Sequence, residues 1–193
     1  GVHVLCLFDR ERQPDVIERF IGACGIQEDS PGAASRTHDA LELLAEAPRW
    51  QAICIAAHVD LPRGGLLGTL SGQPRINTWK SEHLAACSLP GPISSAPENL
   101  RPILENKNPE YRRDRPVAVI NAQDVNGPED LAKPGSACWI KMSEVSVEGL
   151  RQGFLDPGSR IRLVSDPVPE EHAEFVAIAW QGGFLRDVAV HLN

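Results

Sequence analysis

The sequence predicts an α/β fold, and three observations support it. Short apolar runs of strand length alternate with amphipathic segments of helical period along most of the chain. The run Ile53-Cys54-Ile55-Ala56-Ala57 has no polar alternation, as expected of a strand covered on both faces. Residues with metal-ligating side chains sit in or just beyond such runs: His3 within residues 2–8, His58 after residues 51–57, and Asp124 after residues 116–121. Active sites of parallel sheets gather at the carboxyl ends of the strands. The three strands are therefore expected to be parallel neighbours whose ends bring His3, His58 and Asp124 together, where imidazole and carboxylate groups could converge on a divalent metal.

The elements follow in order. Residues 2–8 read as a buried strand. Pro14 to Cys24 reads as a helix, with Pro14 in its first turn, Val16, Ile17, Phe20 and Ile21 on one face, and Gly25 as its stop. Residues 26–36 form a Gly/Pro/Ser loop. A second helix runs from about Thr37, its expected cap, to Ala47, with Leu41, Leu44 and Ala45 inward. A buried strand over 51–57 comes next, then a Gly64-Gly65 loop and a short helix to Leu70. Helices are expected over 78–87 and 97–106, and a strand over 116–121. A loop rich in Gly, Pro and Asp spans 122–135, and a strand 137–141. Ser146 should cap a helix through Leu155, with Glu144 and Glu148 near its positive end. Asp156-Pro157-Gly158 should end it in a turn, and Arg160 to Val164 read as a last short strand.

Beyond this point the pattern changes. Pro167-Val168-Pro169-Glu170 reads as a linker, and Phe175–Trp180 with Phe184–Leu192 as two strands around a Gly182-Gly183 turn. The expected organisation is one unit over 1–165 and, over 166–193, a linker with the first strands of another domain.

Composition bounds the function. At 193 residues and 42% hydrophobic content the chain can bury a core. A formal charge of −7 argues against a broad non-specific nucleic-acid surface. The local cluster Arg112, Arg113 and Arg115 reads as a solvated loop before it reads as a phosphate site. No apolar stretch reaches the ~20 residues of a membrane span, so no membrane partner is expected. The five cysteines form no Cys-x-x-Cys pair, and Cys6 and Cys54 read as small buried hydrophobes. A reducing, cytoplasmic setting fits them.

Several motifs are missing. Gly64-Gly65-Leu66-Leu67-Gly68-Thr69 lacks the lysine of a phosphate loop, and there is no Gly-x-Ser-x-Gly. Glu82 and His83 are adjacent and cannot make a His-Glu-x-x-His metal helix. His38 and His83 read as surface or groove residues, and His172 lies in the linker.

Taken together, the segments Gly1-Val2-His3-Val4-Leu5, Ala56-Ala57-His58 and Asn121-Ala122-Gln123-Asp124-Val125-Asn126 occur in an order that resembles the PHP (polymerase and histidinol phosphatase) superfamily. Trp139-Ile140-Lys141-Met142, Gly149-Leu150-Arg151 and Asp156-Pro157-Gly158-Ser159-Arg160-Ile161 resemble the branch in which a PHP domain precedes an ATPase of the SMC/RecF kind. Gly182-Gly183-Phe184-Leu185 through His191-Leu192-Asn193 looks like the hairpin leading into that ATPase. The resemblance implies a partial distorted (β/α) barrel, metal-dependent phosphoester hydrolysis, and a divalent cofactor (Zn, Mn or Fe).

By the same resemblance His3, His58 and Asp124 are metal ligands, with Asn126 where the family has a final histidine. The family's opening His-x-His motif, Asp-His pair and ligand glutamate belong before Gly1. The chain is therefore expected to be the C-terminal part of such a domain, inactive in isolation and also compatible with no metal at all. Implied partners are its own ATPase domain and a nucleic-acid or phosphoester substrate. A homodimer is expected to cover the edge left open by strand 2–8. The rival expectation is a degenerate, non-catalytic scaffold that docks onto the ATPase or a nucleic-acid partner, which Asn126 favours. A module that senses a phosphorylated ligand is a third.

Overall fold

A computed structural model describes residues 1–26, 35, 37–133, 135–163, 175–181 and 184–191, the last two stretches through their backbone alone. The central feature is a four-stranded mixed sheet in the order β1-β2-β3-β4, with β1 at Val4–Leu7, β2 at Ile53–Ala56, β3 at Leu84–Leu89 and β4 at Ala118–Asn121. Pairs β2–β3 and β3–β4 are parallel, so β2 and β4 run in the same direction as expected, but they are not neighbours, because β3 lies between them.

Strand β1 departs from that expectation: it pairs with β2 antiparallel, Val4 opposite Ala56 and Leu7 opposite Ile53. The reason lies in the connection. Two helices, α1 (Pro14–Ala23) and α2 (Ala40–Glu46), separate β1 from β2. The chain that leaves β1 at Leu7 re-enters the sheet at Ile53, directly opposite, so the connection through α1 and α2 comes back to the same end of the sheet, as an antiparallel pair requires.

A second correction concerns residues 78–87, which do not form a helix. Helix α4 spans Gly72–Lys80, a turn follows, and Leu84-Ala85-Ala86-Cys87-Ser88-Leu89 is strand β3. Alanine is the best helix former, but propensity is worth only about 1 kcal/mol per residue or less, and tertiary context overrides it here. Ala86 is wholly buried between β2 and β4, where small side chains let both faces pack closely.

Smaller corrections follow. The helix expected over 97–106 is α5, the single turn Arg101–Leu104, preceded by a 3-10 turn at Ile93–Ser95. Asp39 rather than Thr37 caps α2: its carboxylate accepts the Glu42 N–H, and the Glu42 carboxylate accepts the Asp39 N–H. Pro157–Arg160 forms one helical turn, α7, rather than a simple turn. The expected short helix before Leu70 is α3, Leu66–Thr69. Ser146 does cap α6, Val147–Leu155, by accepting from the Gly149 N–H.

Both faces of the sheet are covered. On one, Cys54, Ala56, Cys87 and Leu89 join Phe20 of α1, Leu44 of α2, Leu66 and Leu67 of α3 and Trp79 of α4. On the other, Ile53, Ile55, Ala86 and Ala118 pack with Phe154 of α6 and with Ile161. Ile161 belongs to β6 (Ile161–Leu163), which pairs antiparallel with β5 (Cys138–Ile140). Every residue of β2 is buried, which explains its unbroken apolar run.

A separate antiparallel pair joins β7 (Phe175–Gln181) to β8 (Phe184–His191), with a register shift between Ala179 and Trp180. The hairpin read from the sequence is therefore present. Most of the 26–36 loop, the 167–170 linker, His172 and the 182–183 turn lie outside the described residues. The fold is mixed α/β. The described strands form one four-stranded and two two-stranded sheets and close no barrel. Among the described residues no helix is long and apolar enough to cross a membrane.

The core makes a simple prediction. Leu44 is fully buried whereas Val145 is 89% exposed. Leu44→Ala should lower unfolding free energy by about 2–5 kcal/mol, and Val145→Ala should change it by less than about 0.5 kcal/mol. Urea denaturation followed by tryptophan fluorescence measures both.

Candidate functional site

The antiparallel pairing of β1 decides where His3 goes. His3 precedes β1, so it lies beside the carboxyl end of β2, next to His58. The His3 N–H donates to the Gly64 carbonyl at 2.7 Å, and the Ala57 N–H donates to the His3 carbonyl at 3.1 Å. The backbone of His3 is thus held from both sides. His3 Nδ1 stands 2.9 Å from His58 Nε2, with the rings edge to face.

His58 is fixed by several contacts. Its N–H donates to Ser88 Oγ at 2.9 Å, at the end of β3, and its carbonyl accepts the Leu61 N–H at 3.0 Å. Its φ of 32° is left-handed, a backbone state that costs a non-glycine residue energy and that clusters at functional sites. The side chain is only 13% exposed. Gly64, at φ 85°, makes room for the pair: a Cβ there would meet His3 Cε1 and Nδ1 at 2.9 Å and His58 Nε2 at 3.0 Å.

Asp124 reaches the other nitrogen of the same ring. Its Oδ1 is 3.7 Å from His58 Nδ1, too long for a hydrogen bond but close for an ion pair, and the aspartate is largely exposed. The sheet orders this region: Asn121 at the end of β4 donates through Nδ2 to the carbonyls of Leu89 and Gly91. In the following loop the Asn126 N–H donates to Asp130 Oδ2 at 2.8 Å. Lys133, paired with Asp130, and then this N–H hold the Asp130 carboxyl below the usual carboxylate range.

The structure therefore joins three of the four residues expected as ligands in a chain His3–His58–Asp124. It links Asn126 to Asp130 through its backbone. The order matters chemically. A metal held between His3 Nδ1 and His58 Nε2 would leave Asp124 on the far side of the imidazole, where a carboxylate orients the ring. Two nitrogens bound tetrahedrally at 2.0–2.1 Å stand about 3.4 Å apart, so the 2.9 Å pair would have to open by about half an ångström. As it stands, the 2.9 Å separation also fits a ring N–H of one imidazole donating to the other.

Among the described residues no group of three or more His, Cys, Asp or Glu side chains is arranged to hold a metal ion. Two polar atoms near these residues in sequence are buried without a hydrogen-bond partner, Asp60 Oδ1 and Gln123 Nε2. A buried carboxylate oxygen without a donor is a group that a cation satisfies. Neither Asp60 nor Gln123 is among the four residues expected to hold a metal. Ser88 was missed too, because nothing in Leu84–Leu89 marks a serine as the anchor of a residue 30 positions earlier.

The opposite end of the sheet holds a cleft of about 1000 Å³ at the amino ends of β2, β3 and β4. Arg112 and Arg115 are exposed there, near Lys80. Arg113 is no solvated residue: its guanidinium donates to the carbonyls of Trp79 and Leu84 at 3.0 and 3.2 Å. Burial is the main cause that lowers its pKa from the ordinary arginine value. Asp9, Glu82, Asp114 and Glu148 share the same walls, so the charge of the cleft is mixed.

No family model matches the chain, and no curated protein and no solved structure matches it either.

Gly64 offers a direct check on the imidazole pair. Gly64→Ala and Gly72→Ala both place a Cβ at positive φ, at 85° and 58°, but the second meets nothing within 4 Å. Both should lose ~1–2 kcal/mol of stability to left-handed strain. Only Gly64→Ala should in addition move the His3 and His58 ring signals in nitrogen-detected NMR spectra. Unchanged ring signals in that variant would mean that the two rings are not in contact.

Proposed function

We propose that the chain is the C-terminal part of a PHP-type, metal-dependent phosphoesterase domain from an ATPase-linked protein. The observation that carries the reading is the convergence of His3 Nδ1 and His58 Nε2, 2.9 Å apart, beside the carboxyl end of β2. The motif order in the sequence supports the family, and the parallel β2-β3-β4 core supports a strand-end site. In this reading the sheet is an incomplete distorted barrel, and the β7–β8 hairpin begins the ATPase domain.

His3 through Nδ1 and His58 through Nε2 would hold a divalent metal, Zn, Mn or Fe. Asp124 takes the role of a carboxylate that steadies the His58 ring from Nδ1. When bound, such a metal activates a water and neutralises phosphate oxygens. The chain's own residues supply position: Ser88 fixes the His58 backbone, Gly64 leaves space for both rings, and the Asp130–Asn126 contact shapes the loop after Asp124. Asn126 is a neutral and weaker ligand than histidine.

A degenerate, non-catalytic scaffold is the second reading. The observation that favours it is that both ring nitrogens of His58 already face partners within the protein.

Calorimetric titration with Mn²⁺ or Zn²⁺ separates the two. The metal-site reading expects saturable binding that His58→Ala weakens by at least about tenfold and Asp124→Asn weakens less. Equal affinity of the wild type and His58→Ala, with the fold intact by circular dichroism, would leave the scaffold reading standing. Turnover of a generic phosphodiester with added manganese is expected to be negligible for this chain. Turnover that His58→Ala abolishes would show that its ligands suffice for catalysis.

A further inference from the structure

The register that joins His3 to His58 also sets two cysteines face to face. Cys6 and Cys54, 48 residues apart in sequence, are direct partners across β1–β2, and their sulfurs are 3.8 Å apart. The kind of pair follows from the ladder. The Ala57 N–H bonds the His3 carbonyl, which makes His3–Ala57 a hydrogen-bonded pair. Pair types alternate along an antiparallel ladder, so Val4–Ala56 is non-hydrogen-bonded, Leu5–Ile55 hydrogen-bonded and Cys6–Cys54 non-hydrogen-bonded. That is the closer kind, with Cα atoms about 4.5 Å apart, within the ~4.4–6.8 Å span of disulfides.

The two thiols are not equivalent. Cys6 is partly exposed, and Cys54 is wholly buried. The Cys54 thiol, hydrogen-bonded to Cys6, lowers the pKa of the Cys6 thiol from its ordinary value, and the same contact raises that of Cys54. Burial raises the thiols of Cys24, Cys87 and Cys138 instead.

We propose that Cys6 and Cys54 form a site of reversible oxidative modification, with Cys6 as the residue that peroxide oxidises and Cys54 as the one that closes the disulfide. In the first step the Cys6 thiolate attacks hydrogen peroxide. A sulfur–oxygen bond forms, the oxygen–oxygen bond breaks, and the departing hydroxide takes a proton to become water. In the second, the Cys54 sulfur attacks the Cys6 sulfenic acid. The sulfur–sulfur bond forms, the sulfur–oxygen bond breaks, and hydroxide leaves with the Cys54 proton as a second water. Overall two thiols are oxidised to one disulfide, and one peroxide is reduced to two waters. The sulfurs have to close from 3.8 Å to about 2.05 Å, a movement within reach of side-chain rotation on paired strands. The disulfide would tie the strand that follows His3 to the strand that precedes His58, so the proposal stands whether or not the histidines hold a metal.

The test uses the full chain. It is treated with hydrogen peroxide, quenched with iodoacetamide, and digested without reductant. The expected product is an intramolecular cross-link between the Cys6 and Cys54 peptides, with the intact mass lower by about 2 Da and restored by dithiothreitol. Cys87→Ser should leave the cross-link unchanged. Cys54→Ser should stop at a Cys6 sulfenic acid that dimedone traps. Alkylation of both Cys6 and Cys54 after peroxide would overturn the proposal, as would Cys6 sulfinic acid beside a free Cys54 thiol. The wild-type map reads the cross-link directly, so the result stands even if a serine variant fails to fold.

Discussion

The structure depends most on the antiparallel register of β1 against β2. In that register Leu7 faces Ile53, Val4 faces Ala56, and His3 comes to rest beside Ala57 and His58. A parallel pairing would have carried His3 to the other end of the sheet. A slip by one residue would have turned the other face of β1 toward the core. The same ladder sets Cys6 opposite Cys54. One pairing thus creates both an imidazole pair and a dithiol from residues about fifty positions apart.

What holds that register is burial on both sides of β2 rather than the hydrogen bonds of β1 alone. Ile53 and Ile55 lie under Phe154 and Ile161, and Cys54 and Ala56 under Leu44, Leu66 and Trp79. A strand covered on both faces cannot shift without exposing one apolar set and burying misfitted shapes in the other. Strand β1 is the outer member of the four-stranded sheet, and Leu5 is nearly half exposed. The imidazole pair is built where this outer strand meets the buried one. His3 is held there by backbone bonds to Gly64 and Ala57, and His58 by Ser88 of the next strand.

Glycine and strained backbone complete the arrangement. Gly64 has no side chain because two rings occupy the space a Cβ would need. His58 adopts positive φ one residue after Ala57, which turns the chain sharply off the strand end. The turn aims the ring at His3 and leaves the far nitrogen toward Asp124. The cost of the backbone state is offset by the bond the His58 N–H gives to Ser88 Oγ and the one its carbonyl accepts from the Leu61 N–H, which hold the turn in place.

Much of this was legible in the sequence. The unbroken apolar run at Ile53–Ala56, Pro14 at a helix start, Ser146 as a cap and the two strands over Phe175–Gln181 and Phe184–His191 each report a local preference, and all four appear in the structure. The positions of His3, His58 and Asp124 at strand boundaries also pointed to one end of the sheet. Other features could not be read locally. Leu84–Leu89 has the small, apolar composition of either a helix or a covered strand, and only its neighbours β2 and β4 choose between them. Asp39 and Thr37 are both acceptable caps until the reciprocal bonds with Glu42 decide. The direction of β1, the contact between Cys6 and Cys54, the anchoring of His58 by Ser88 and the inward turn of Arg113 all depend on residues distant in the chain. The sequence by itself determined which segments are strands, helices and turns in the regions of strong periodicity, because those preferences act over a few residues. Only the tertiary structure decided which side chains meet, because that depends on the direction and register in which distant strands pair and on which faces their packing must cover.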